Sequence, residues 1–184
     1  MHLPLVPNRE CGACNVCCSL PAIIDPKLTK MPGVLCSHWD GGCSIYERRP
    51  RSCVGHHCGW RHLDHLDETW RPDLSKIYIE LKSDPPEHFH HEFPNAPLCF
   101  RFTLLDDVPP QQLELLGILI ASLIDQDVPV ILAMAALPEH MSCHILLNSK
   151  LKPHAAACGQ AYNEGFARAI MAILQMPPEK VVLA

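Results

Sequence analysis

Eight of the eleven cysteines in this 184-residue chain fall between positions 11 and 58: Cys11, Cys14, Cys17, Cys18, Cys36, Cys43, Cys53 and Cys58. Four chemistries are open to thiols concentrated in this way. Disulfides need an oxidising compartment. The opening MHLPLVPNREC has neither the basic nor the apolar stretch of an export signal, so none is expected. The neighbours Cys17 and Cys18 also resist bridging, because adjacent residues hold their side chains in diverging directions. An apolar role for all eight fits poorly in a segment rich in Gly, Pro, Arg and His. A single redox or nucleophilic thiol would leave seven cysteines unexplained. Metal binding accounts for all eight.

The spacing supports this chemistry. Cys11-Gly-Ala-Cys14-Asn-Val-Cys17-Cys18 sets thiols at i, i+3 and i+6, which a tight turn running into a helical turn brings toward one point. Thiolates suit zinc and iron–sulfur clusters and approach a zinc ion to about 2.3 Å. Cys18 diverges from Cys17, which points it at a second site or at the far side of a cluster. Cys36, Cys43, Cys53 and Cys58 are separated by loop-like gaps. They match neither the paired knuckles of a zinc ribbon nor the cysteine run of a bacterial ferredoxin. Eight thiolates permit two four-sulfur sites, or one site with spare ligands. The segment has few large apolar residues, so ligand bonds must supply much of its folding energy.

Two signatures occur here in order: Cys11-x2-Cys14-x2-Cys17-Cys18, then Gly42-Cys43-Ser44-Ile45-Tyr46-Glu47-Arg48-Arg49-Pro50-Arg51-Ser52-Cys53. Together they resemble the CxxCxxCC cysteine-cluster family, described as a zinc- or iron-chelating domain and related to the cluster of flagellin lysine N-methylase. The resemblance covers residues 11–60 and implies that all eight cysteines are metal ligands. Family members often follow the position of Cys53 with an arginine and an aromatic residue. This chain has Val54-Gly55-His56-His57-Cys58 instead. The resemblance implies a site rather than a reaction, and lysine methylation is not carried over.

Around the thiols, Arg48, Arg49 and Arg51 are candidates to offset the charge of an all-thiolate centre, against the alternative of a solvated basic loop. His56 and His57, followed by His62 and His65, are candidates for the shell outside the ligands. Cys99, Cys143 and Cys158 fall in apolar surroundings and are expected in the core. His88, His90 and His91 read as part of a solvated loop. His140 and His144 lack the intervening Glu of a zincin motif. No dinucleotide fingerprint, P-loop, nucleophile elbow or EF-hand loop is present, and no catalytic residue can be named.

The elements that must position these residues divide the chain. Residues 1–60 carry a formal charge of +2 and the remainder −7, which places a boundary at 60–75. A cysteine-cluster region over 1–70 and an α/β scaffold over 71–184 follow, together forming one compact unit. In the scaffold, 76–82 alternates with Ile77, Ile79 and Leu81 on one face, and 98–105 alternates with Leu98, Phe100, Phe102 and Leu104. A polar loop joins them. Residues 109–126 read as a helix with Leu113, Leu116, Ile120 and Leu123 on its inner stripe, broadened by Leu115, Leu119 and Ile124, and 130–136 as a buried strand. A further strand around 143–148 and one helix over 154–175 complete a ββαββα order. In that last helix Gly159 and Gly165 would permit close packing. The expected fold is α+β: helices on one face of a small, largely antiparallel sheet, with the cysteine-rich segment packed on it.

Forty-eight percent hydrophobic and 19% charged residues specify a packed core rather than disorder. A formal net charge of −5 and pI near 6.1 argue against a nucleic-acid binder, and no apolar run spans a membrane. The sequence thus predicts a cytoplasmic protein that chelates zinc or an iron–sulfur cluster. The competing expectation is an iron–sulfur oxidoreductase or modifying enzyme using the cluster in catalysis.

Overall fold

The structure is a computed structural model describing residues 3–83, 87–89, 91–135 and 137–181, with backbone only at residue 88. Its frame is a four-stranded sheet in the C-terminal two-thirds. Two hairpin strands come first: β1 (Ile23–Asp25) and β2 (Leu28–Lys30), in the cysteine region. The sheet itself begins with β3 (Ile77–Lys82) and β4 (Cys99–Leu104), followed by β5 (Val130–Met134). A short strand β6 (His140–Met141) precedes its last member, β7 (His144–Leu146). The order across the sheet is β3-β4-β5-β7, and β6 pairs separately with β8 (Glu179–Lys180). Only β4 and β5 run parallel; the other described pairs are antiparallel. That one parallel step needs a crossover longer than a hairpin, and a 16-residue helix supplies it.

Six α-helices are described: α1 (Val16–Ser19), α2 (Arg51–Val54), α3 (Pro72–Ser75), α4 (Pro110–Asp125), α5 (Asn148–Ala155) and α6 (Gln160–Leu174). The last three cover one sheet face. Register places Ile77, Ile79, Phe100, Phe102, Leu104, Val130 and Leu132 on that face. There they share a core with Leu116, Ile120 and Ile124 of α4, Leu151 of α5, and Tyr162 and Phe166 of α6. The Tyr162 hydroxyl donates to the Gly117 carbonyl at 2.7 Å, satisfying the polar tip of a ring with no exposed surface.

The α+β expectation and the strand periods hold, with four corrections. The helix expected over 154–175 is two helices, α5 and α6, broken where Cys158 takes a positive φ of 44°. Asn148 begins α5, and its side chain accepts from the Val130 amide and donates to the Val128 carbonyl, both at 2.8 Å. Gly165 does permit close packing, since a Cβ there would lie 2.9 Å from Leu151 Cδ2, whereas Gly159 lies at the N-cap of α6. On α4 the expected Leu116, Ile120 and Ile124 are innermost, joined by Gly117 and Ala121, whereas Leu113, Leu119 and Leu123 are half-buried and Leu115 is exposed. The loop between β3 and β4 is not simply solvated: Phe89 and Phe93 pack on Cys99, Ile131 and Leu146 of the other sheet face. His91 lies exposed beside Glu92, while residue 90 and the His88 side chain lie outside the described residues. Residue 136, the end of the expected strand, also lies outside them.

Finally, β3 is not half-buried. Tyr78 is as buried as Ile77 and Ile79, because the cysteine region wraps this edge strand. Gly59 lies against the strand, where a Cβ would meet Ile79 Cγ2 at 2.4 Å. Trp60, Leu66 and Trp70 join the same core. Of the three remaining cysteines, Cys99 is fully buried, while Cys143 and Cys158 are half-buried at the edge of the core.

Candidate metal centre

Short turns rather than long elements carry the eight thiols. The Cys14 amide donates to the Cys11 carbonyl at 3.0 Å, closing the turn that feeds α1, and α1 carries Cys17 and Cys18 side by side. The chain then runs through the β1–β2 hairpin and returns so that the Cys36 amide reaches the Cys18 carbonyl at 3.0 Å. Trp39 links the next two thiols, donating to the Cys36 carbonyl and bridging to Cys43. Pro50 precedes α2, which carries Cys53, and Cys58 leads into the 3-10 turn Gly59–Arg61.

All eight cysteines line one cavity of about 880 Å³. Among the ionisable side chains sharing its wall are Arg9, Glu10, Arg49, His56, His57 and Arg61. All eight cysteines are free thiols. They stand around this space rather than converged on a point. Among the described residues, no three Cys, His, Asp or Glu side chains form a group that could hold a metal ion. The donor chemistry nevertheless fits a soft metal: eight sulfurs, two imidazoles and a single carboxylate share the wall.

The environment splits the thiols by protonation. Cys17 donates a hydrogen bond to Cys18, which, with burial, pushes the Cys17 thiol far up. Accepting that bond, beside Lys30 and Arg49, lowers Cys18 from 9.0 to about 7 against its own desolvation. Burial raises Cys14 and Cys58 to about 11, and also raises Cys53. Desolvation disfavours the charged thiolate, and hydrogen bonding to it does the reverse.

Three cations fix this region, and none was singled out from the sequence. Lys30 is buried, its Nζ donating to the carbonyls of Ser19 (2.7 Å), Met31 (3.0 Å) and Val34 (2.7 Å), with Cys17, Cys18, Cys36 and Cys53 as charge neighbours. Arg61 donates from Nη1 to Cys11 Sγ at 3.7 Å, while its buried Nε has no hydrogen-bond partner among the described residues. Arg9 ties the N-terminal strand of chain to the carbonyls of Trp60, Leu63, Asp64 and Leu66 and lies over the Trp60 ring. Local spacing gives no signal for such bonds, which join residues up to 57 positions apart.

The arginines proposed as charge partners separate. Arg49 lines the cavity, its guanidinium stacked 3.6 Å from the Tyr46 ring centroid. Arg48 and Arg51 are absent from that wall, and Arg51 is exposed. For Arg48 and Arg51 the solvated-loop alternative describes the geometry better. His56 lies in the wall and shares a hydrogen bond with the Tyr78 hydroxyl, and burial lowers its pKa. His57 also lines the wall, edge-on to His62, and burial followed by the Arg61 charge lowers its pKa. His62 donates from Nδ1 to the Pro4 carbonyl at 3.0 Å, and His65 sits outside the wall beside Asp64. No helix among the described residues is long and apolar enough to cross a membrane. No protein-family model, curated protein or solved structure matches the chain.

Proposed function

We propose that this protein is a metal-binding protein whose N-terminal thiols chelate zinc or an iron–sulfur cluster. The observation that carries the reading is the gathering of eight cysteines, drawn from 48 residues of loops and short turns, around one cavity. Chance placement does not assemble eight thiols and exclude carboxylates other than Glu10. The soft donor set matches thiophilic metals, and the cationic neighbours Lys30, Arg49 and Arg61 suit a centre of net negative charge. When bound, such a metal would supply cross-links that the sparse apolar content cannot.

Within this reading the chain's own residues have separable tasks. The cysteines provide sulfur ligands once their protons leave. Arg61 and Lys30 hold charge beside them, and the His56–Tyr78 contact fixes one wall against the sheet. A second reading, an iron–sulfur oxidoreductase or modifying enzyme, is favoured by the size of the cavity, which exceeds what a lone ion fills.

Serine replacement at Cys14 and at Cys53 tests the assignment. Each variant is expected to lose roughly half or more of the bound metal and to loosen residues 11–58 in hydrogen exchange, as loss of a thiolate ligand requires. Unchanged metal content in both variants would overturn the assignment.

A further inference from the structure

We propose that the eight cysteines divide into two four-thiol centres, Cys11, Cys14, Cys17 and Cys58 in one and Cys18, Cys36, Cys43 and Cys53 in the other, each taking its own metal. This rests on the metal-binding reading above and assigns ligands within it.

The first set is marked by a small hollow beside the main cavity. Its wall contains Cys11, Cys14, Cys17 and Cys58 with Trp60, Arg71, Pro72 and Tyr78, and none of the other four cysteines. Cys14, Cys17 and Cys58 also pack into the core shared with the sheet, whereas Cys18, Cys36, Cys43 and Cys53 do not. The first set therefore lies inward, against β3.

The second set is assembled by backbone contacts of its own. The Cys36 amide binds the Cys18 carbonyl, and Trp39 joins Cys36 to Cys43. Cys53 has Cys36, Cys18 and Cys43 as its thiol neighbours, while Cys58 has Cys11 and Cys14. The vicinal pair marks the border. Successive residues on a helix point about 100° apart, as follows from 3.6 residues per turn. Cys17 packs against the core shared with the sheet and Cys18 does not, and the hydrogen bond between them crosses the border. The cations lean the same way: Arg61 donates to Cys11, and Lys30 has Cys36, Cys18 and Cys53 ahead of Cys17 among its charge neighbours. In sequence the outer set is nested between Cys17 and Cys58 of the inner one, so the grouping splits the vicinal pair and returns Cys58 to the first block.

Cobalt(II) reports on tetrathiolate sites through its visible and charge-transfer bands, and tests the division on the full-length reduced chain. The wild type is expected to take two ions. C11S and C43S, both at half-exposed positions, should each lose about half of the signal. C43S/C53S, with both changes in the outer set, should lose no more than C43S. C11S/C43S, with one change in each set, should lose nearly all of it. In cobalt-saturated C43S, alkylation followed by mass spectrometry should find Cys11, Cys14, Cys17 and Cys58 protected and the outer cysteines modified. Complete loss of cobalt in both single variants, or protection drawn from both sets in C43S, would overturn the division. A wild-type chain that takes no cobalt would instead overturn the metal-binding reading beneath it.

Discussion

The two parts of this molecule reach order by different means. In the scaffold, Ile77, Ile79, Phe102, Leu116, Ile120, Ile124 and Leu132 expose no surface, and elements of up to 16 residues bury continuous apolar stripes. In the cysteine region no α-helix or strand exceeds four residues, Ile24, Leu35, Tyr46 and Val54 are exposed, and Ile23 is the buried large apolar residue between 17 and 57. Buried apolar area stabilises by roughly 25 cal/mol per Å², so the first part can hold itself together and the second has little to draw on. Its order rests instead on cations hydrogen-bonded to backbone carbonyls, on the Trp60–Leu66–Trp70 anchor and, in the reading proposed above, on bonds from sulfur to metal. A segment without a core can still be specific if its polar groups are satisfied by a few well-placed partners.

The largest expected effect separating the two parts is metal removal. Structural zinc contributes on the order of 10 kcal/mol in small metal-dependent domains. Chelation under reducing conditions is therefore expected to open residues 11–58 to limited proteolysis while 77–174 stays protected. Equal proteolysis of both parts would erase the contrast. Lys30→Met is expected next: it leaves three carbonyls without their charged donor, a loss of about 2–3 kcal/mol. Hydrogen exchange should rise around 19–36 and remain unchanged in β4 and β5. Gly59→Ala attacks the junction itself, since the added Cβ overlaps Ile79. An overpacking cost of about 1–3 kcal/mol is expected in chemical denaturation. An unchanged midpoint would place the docking of the two parts elsewhere.

The smallest effect concerns pH in the metal-free chain. Cys18, lowered to about 7, contributes stability that is present above the ordinary thiol value of 9.0 and is lost as pH falls through 7. Cys14 and Cys58, raised to about 11, contribute stability that is present below 9.0 and is lost as pH rises through 11. The unfolding midpoint is thus expected to peak near pH 9 and decline on both sides. Near neutral pH, alkylation should reach Cys18 well before Cys14 or Cys58. Faster labelling of Cys58 than of Cys18 would contradict the electrostatic contrast inside the site.

The same contrast explains what was legible in the sequence. The strands at 77–82 and 99–104 and the helix at 110–125 follow from apolar periodicity, which is a local property of an element that packs on one face. The break between α5 and α6 was not legible, because the flanking residues keep a helical period while Cys158 leaves the helix through a left-handed backbone. Tyr78 read as a solvent-facing position because alternation records one covered face and carries no information about a second layer laid over an edge strand. Around the candidate site, residue types and spacing named all eight cavity-lining cysteines and also Arg49, His56 and His57. They could not name Lys30, Arg61 or Arg9, whose partners are carbonyls and a sulfur brought near by loops. Nor could they divide the cysteines, because the grouping follows how the chain returns on itself after Cys18.

The most direct test of the central claim is the metal and sulfide content of the untagged, full-length chain purified without oxygen, read beside its visible spectrum. The expected result is either zinc at one or two ions per chain in a colourless protein, or iron with acid-labile sulfide and a broad band near ~400 nm from thiolate-bound clusters. The absence of zinc, iron and every other thiophilic metal from a folded protein with all eight thiols reduced would contradict it.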